Sequence, residues 1–129
     1  MRRLKESKTL TRAEMEIMNY LWNMEAGGGT VRGVLECYDE PRPAYTTTAT
    51  FLKILTRKGF VAAEKMDGEG KTFFFRPIIS KDDYRKQAID DVKDNFFEGS
   101  MKSLVSFFVK EEKLSEDELK ELLEMVNSK

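Results

Sequence analysis

Histidine is missing from the 129 residues altogether, and cysteine occurs once, as Cys37. The first absence removes the commonest general base, the usual partner of a nucleophile and the main metal ligand together. The second excludes an intramolecular disulfide and a zinc cluster, so Cys37 reads as a half-buried small residue in a helix. No apolar run approaches membrane-spanning length, and the opening MRRLKESKTL lacks the apolar core of a secretory signal. A cytoplasmic protein with no direct membrane association is expected. Neither a cofactor nor a metal is expected, and the paired acids Asp82-Asp83, Asp90-Asp91 and Glu111-Glu112 read as solvated helix faces rather than a catalytic pair. A strong net charge is lacking too, the balance being −1. That figure hides an asymmetry, because 13 Lys+Arg oppose 10 Asp+Glu as far as Pro77, whereas 9 oppose 13 from Ile78 onward.

What is present is the composition of a folded, helix-rich chain, 40% hydrophobic and 35% charged. The stretch YTTTATFLKILTRKGF, Tyr45 to Phe60, is the one around which the rest is organised. Thr48, Phe51, Leu52 and Leu55 fall at helical intervals and form an inward face. Thr46, Thr50, Lys53 and Arg57 share the opposite face. Small hydroxyls at a helix start can approach phosphates or base edges, because free N–H groups and the positive dipole end already favour anions there. Lys53 and Arg57 would then reach phosphates further along. The same residues also suit an ordinary solvated helix, with Thr46 as its cap and Gly59 as its stop.

The neighbouring stretches decide between these readings. Residues 1–8 are basic and polar, either loose or an arm adding phosphate contacts. Thr11 and Glu14 form a capping box with Leu10 as staple, opening a helix whose apolar stripe is Met15, Ile17, Met18, Leu21 and Trp22. Gly27 to Gly29 read as a turn, since no Lys-Ser or Lys-Thr follows to make a phosphate loop. A second helix then runs from Thr30 to about Tyr38, with Val31, Val34, Leu35 and Tyr38 inward. Pro41 and Pro43 bracket an irregular link. After Gly59 the period changes: Phe60 to Met66 and Lys71 to Arg76 read as two strands around the turn Asp67 to Gly70. Three helices and a hairpin in this order make a winged helix-turn-helix.

From Ser80 the chain is helical again, with capping pairs Ser80/Asp83 and Ser115/Glu118. Tyr84, Ala88, Ile89, Val92 and Phe96 mark its first helix, Met101 to Val109 a second and Leu114 to Val126 a third. The segment holds more apolar surface than it can bury alone, which implies a second copy or, less simply, packing back on the front part. The expected fold is mostly α (α+β): a winged helix-turn-helix over residues 1–77 and a helical dimerisation segment over residues 78–129. The dimerisation residues would be Phe96, Phe97, Met101, Leu104, Val105, Phe108, Leu119, Leu122, Leu123 and Val126.

Three stretches, LTRAEMEIMNYLW (Leu10–Trp22), TTATFLKILTRKGFV (Thr47–Val61) and MKSLVSFFVKEEKLSEDELKELLEMV (Met101–Val126), resemble the penicillinase and methicillin-resistance repressors. The resemblance implies a homodimeric transcriptional repressor on double-stranded operator DNA, with contacts from the start of the third helix and from the wing. On this sequence those positions are Thr46, Thr47, Ala49 and Thr50, joined by Lys53, Arg57 and, on the wing, Lys71. Thr46 and Ala49 stand where relatives carry lysine and arginine. An alanine cannot form a bidentate guanine contact but can touch a thymine methyl, so a different operator is expected. The resemblance also implies relief of repression by a sensor-linked protease that cuts the C-terminal segment. The matching bond is Phe107-Phe108, in place of Asn-Phe. The copper-responsive branch has paired cysteines near its end, whereas this chain closes LLEMVNSK. The alternative from another class is a winged-helix module whose polar helix binds an acidic protein without specific DNA binding.

Overall fold

The computed structural model describes residues 9–68, 70 and 72–127. Among them, six helices and one hairpin follow in the order α1 (Arg12–Asn23), α2 (Val31–Leu35), α3 (Tyr45–Lys58), β1 (Val61–Lys65), β2 (Phe73–Pro77), α4 (Lys81–Phe96), α5 (Met101–Glu112) and α6 (Glu116–Asn127). The fold is an α+β winged helix carrying further helices. Two compact units divide between Tyr84 and Arg85.

The first unit closes around Ile17, Met18, Leu21, Val34, Leu52, Leu55 and Val61, all without solvent exposure. Each such side chain contributes about 1.5–3 kcal/mol on leaving water, so they dominate the stability of a unit this small. The starts of α1, α2 and α4 are capped as the sequence implies. Thr11 Oγ1 accepts from the Glu14 N–H at 3.2 Å while Glu14 Oε1 accepts from the Thr11 N–H at 2.9 Å. Thr30 caps α2 through the Gly33 N–H, and Ser80 caps α4 through the Asp83 N–H. Helix α2 is shorter than expected and ends at Leu35. Its last carbonyls are taken up by tightening turns, Cys37 N to Val34 O and Tyr38 N to Leu35 O, which leave Cys37 exposed outside the helix rather than half-buried within it.

β1 and β2 pair antiparallel from Val61↔Pro77 to Lys65↔Phe73. The glycine run is more than a turn. Gly29 exchanges both backbone hydrogen bonds with Phe75, at 3.0 and 2.8 Å, and adds a bridge to the hairpin. Gly28 adopts φ +151°, and a Cβ there would stand 2.2 Å from the Phe75 carbonyl oxygen, so only glycine allows the two backbones to meet.

The unit continues past Pro77 because Trp22 and Tyr84 tie down the chain beyond it. The Trp22 indole donates to the Ile79 carbonyl at 2.9 Å, and the Tyr84 hydroxyl accepts from the Leu10 N–H at 3.2 Å. The Tyr84 ring lies between Trp22 and Phe60, at centroid distances of 6.2 and 5.9 Å.

In the second unit no side chain of α5 or α6, nor of α4, is fully buried. Ser100 caps α5, and Ser115 and Glu118 form a reciprocal capping box on α6 at 2.9 and 3.1 Å. The helices are therefore well started locally while their apolar faces stay open.

Replacing Gly28 by alanine is expected to lower stability by about 2 kcal/mol or more, from backbone strain and overpacking together. Gly68→Ala, where φ is also positive but no atom lies within 4 Å of an added Cβ, should cost about 1 kcal/mol. Urea denaturation of both variants by circular dichroism measures the difference.

Candidate nucleic-acid interface

Helix α3 enters from an ordered link. Tyr38 meets Tyr20 of α1 edge to face at 4.9 Å, and Arg42 donates to the Tyr38 carbonyl at 3.0 Å. The helix begins at Tyr45 with Ala44 as N-cap, and no side chain caps it. Thr46 is thus inside the helix rather than its cap. The first helical bond is from Thr48 N to Ala44 O, which leaves the N–H groups of Tyr45, Thr46 and Thr47 directed out of the helix end.

Burial sorts the residues of α3 cleanly. Thr48, Leu52 and Leu55 are buried, and Phe51 is half-buried against the core rather than fully inside it. Tyr45, Thr46, Thr47, Thr50, Lys53 and Arg57 are exposed, and Ala49 is half-buried. The candidate contact residues on this helix therefore form one continuous outward strip. Among the described residues Lys53 and Arg57 form no ion pair, so both charges are available to a polyanion.

Lys58 is the third cation of α3 and it points the other way. Its Nζ lies 2.8 Å from Glu14 Oε1 and donates to the Thr9 carbonyl at 3.2 Å. Glu14 is buried, and burial pushes its carboxyl up. The hydrogen bond and charge of Lys58 with the bonds from Thr11 outweigh that and hold it below its ordinary value of 4.5. The capping carboxylate of α1 is thereby fastened to the last turn of α3. Lys58 is not among the functional residues expected from the sequence, although a signal exists there. It falls seven residues after Phe51 and three after Leu55, on the apolar face, just as Glu14 precedes Met18 and Leu21 by four and seven.

On the hairpin, Arg76 is engaged rather than free, 2.9 Å from Glu64 and with its guanidinium 5.2 Å from the Phe74 ring centroid. Lys65 is exposed at the end of β1. Lys71 lies outside the described residues, as does the basic stretch 1–8. Of the residues expected at a dimer interface, Phe96 is 75% exposed and Leu123 62%, with Met101, Val105, Phe108, Leu122 and Val126 also exposed. Phe97, Leu104 and Leu119 are half-buried, and the Phe97 and Phe107 rings meet at a tilt of 55° with centroids 5.6 Å apart. No helix among the described residues is long and apolar enough to cross a membrane, and none of them cluster as a metal site.

The sequence model of the penicillinase repressor family matches residues 10–128, nearly the whole chain. The chain belongs to that family. Its relatives include the methicillin resistance regulatory protein MecI of Staphylococcus aureus strain N315, 27% identical over 121 residues that cover 93% of this chain and 94% of that protein. The penicillinase repressor of Bacillus licheniformis is 26% identical over 123 residues, covering 95% and 93%, and that of Staphylococcus aureus is 25% identical over 118, covering 92% and 90%. The chain is accordingly a transcriptional regulator of the penicillinase repressor type, and its relatives are repressors rather than enzymes.

Because Glu14 holds its proton less tightly folded than unfolded, the Lys58 clasp contributes fully above pH 4.5 and is lost as pH falls below it through the lowered value. Lys58→Ala should lower stability at neutral pH by about 2–3 kcal/mol, because it leaves a buried carboxylate without its cation. Glu14→Gln should flatten the fall of the urea midpoint as pH is lowered below 4.5.

Proposed function

We propose that the chain is a homodimeric repressor of a roughly palindromic operator, with one α3 entering the major groove of each half-site. The outward strip of α3 carries this reading: an uncapped helix start flanked by Thr46, Thr47 and Thr50, then Lys53 and Arg57 one and two turns later, all exposed. Free N–H groups and the hydroxyls of Thr46 and Thr47 suit the phosphates and base edges at the groove, Thr50 faces the same groove, and the two cations suit the flanking backbone. Ala49 sits among them as an apolar contact, and Lys71 on the wing adds a phosphate contact. Two-fold symmetry sets the half-site centres about 34–36 Å apart, or a multiple of that.

Dimerisation is assigned to residues 78–129, on the open apolar faces of α5 and α6. Three helices that bury none of their side chains fully would gain little from folding alone, and a second copy supplies the missing surface. Relief of repression is assigned to a sensor-linked protease acting in the same segment. The Phe107-Phe108 bond lies within α5, with both rings exposed. A helical bond becomes a substrate only after local opening, so cleavage there would follow the stability of α5.

Fluorescence anisotropy with a duplex from the upstream region of its own gene, against a scrambled duplex and over a range of salt, tests the operator reading. Tight binding that prefers the native duplex at two chains per site is expected. Lys53→Ala should weaken both duplexes alike and reduce the slope of log K against log salt by about one. Equal, weak binding to both duplexes by the intact protein would favour the interaction-module reading instead.

The dimer has its own test. Leu123→Asp at an exposed position of a monomer should change stability by no more than about 0.5 kcal/mol. At a dimer interface it buries a charge, so sedimentation should show the intact chain as a dimer and the variant as a monomer with much weaker operator binding.

A further inference from the structure

The hydroxyl of Thr50 is already occupied. Its Oγ1 donates to the Thr46 carbonyl at 2.9 Å, as Thr48 does to Ala44 and Thr56 to Leu52. A threonine hydroxyl carries one proton, and in this rotamer Thr50 gives it to the Thr46 carbonyl rather than outward. It presents a methyl group and an acceptor lone pair. Beside it Ala49 has only a methyl. At the first position of the helix Tyr45 is 52% exposed, an aromatic ring ending in a phenolic hydroxyl that stands outside the core at the start of the polar strip. From Tyr45 to Thr50 there is no arginine, lysine, asparagine or glutamine, the side chains that make bidentate contacts to guanine or adenine. In the major groove the base-edge feature that a methyl or ring recognises is the C5-methyl of thymine.

We propose that α3 reads thymine C5-methyl groups by apolar contact. The methyl of Thr50 is the specificity-determining group; the Ala49 methyl, half-buried against the core, is the next residue back, and the exposed Tyr45 ring stands at the helix start. The ligand is duplex DNA with at least one thymine at the reading position of each half-site. Thr46 and Thr47 remain for phosphates. This inference rests on the repressor reading and adds to it which chemical feature of the base is recognised.

The test uses the full-length protein and does not depend on an operator of known sequence. Selection from a pool of random duplexes defines the preferred site. Each thymine of that site is then replaced in turn by uracil, which removes the C5-methyl and keeps the pairing. Loss of one buried methyl corresponds to about a fourfold weakening, and to more than about tenfold when both half-sites are changed. Thr50→Val keeps the methyl and the shape without the hydroxyl, and Thr50→Ser keeps the hydroxyl without the methyl. The valine variant should retain the discrimination between thymine and uracil, while the serine variant should bind more weakly and lose it. Position 50 is exposed, so neither change disturbs the core, and circular dichroism confirms the fold of each. Uracil substitution without effect at every thymine would overturn methyl reading and leave the repressor standing. So would a serine variant that keeps the preference and a valine variant that loses it, an outcome that assigns reading to the hydroxyl. A selection that converges on no sequence would overturn the repressor reading, and methyl reading with it, before any uracil is introduced.

Discussion

The ion pair between Glu14 and Lys58 joins the start of α1 to the end of α3, and together with the buried face of α3 it sets the direction in which the outward strip is presented. Glu14 serves α1 as the reciprocal half of its capping box and serves α3 as counter-ion to the last turn. A positive charge at that end is also favourable to the helix dipole. Leu52, Leu55 and Thr48, with Phe51 and Ala49 packed against the core beside them, set which face of α3 turns inward, and the pair adds a polar tie at its last turn. With it, the outward direction of Thr46, Thr50, Lys53 and Arg57 is fixed at both ends of the helix, by the Tyr38–Arg42 link at the start and the clasp at the finish. The division of labour among three cations in six residues follows from phase. Lys53 and Arg57 fall on the solvent side, and Lys58 falls on the core side.

Much of this is legible in the sequence because local chemistry and helical period agree there. The capping boxes at Thr11/Glu14 and Ser115/Glu118, the inward face of α3 and the hairpin after Gly59 all come from signals carried by a few adjacent residues. What the sequence does not disclose depends on contacts between residues distant in the chain. Gly29 pairs with Phe75 through backbone atoms alone, and no side-chain pattern announces a backbone bridge, so the glycine run reads as a turn. Tyr84 joins the first unit through Leu10, Trp22 and Phe60, which the proline at Pro77 gives no reason to expect. Helix α2 ends early because Cys37 and Tyr38 satisfy its last carbonyls by turns, leaving the Tyr38 ring free to meet Tyr20. The outward strip is readable as a surface, whereas the internal hydrogen bond of Thr50, which changes what that surface offers, is not.

A repressor with few exposed cations on its reading helix faces a particular balance. Non-specific affinity for DNA comes almost entirely from phosphate neutralisation, and on the proposed reading α3 would supply only Lys53 and Arg57 for it within a chain of net charge −1. Weak non-specific binding lowers the competition from the bulk of the chromosome, so a modest gain from base contacts still gives a useful ratio. Methyl contacts give modest gains, roughly a factor of four apiece. They become sufficient when two helices are linked, because the second half-site is then engaged at the high effective concentration set by the first. On the proposed reading the methyl-bearing outward strip of α3 and the open apolar faces of α5 and α6 are two parts of one solution. A helix that reads softly requires a partner copy, and if residues 78–129 recruit it, as proposed, cutting that segment would release the operator without touching the reading surface.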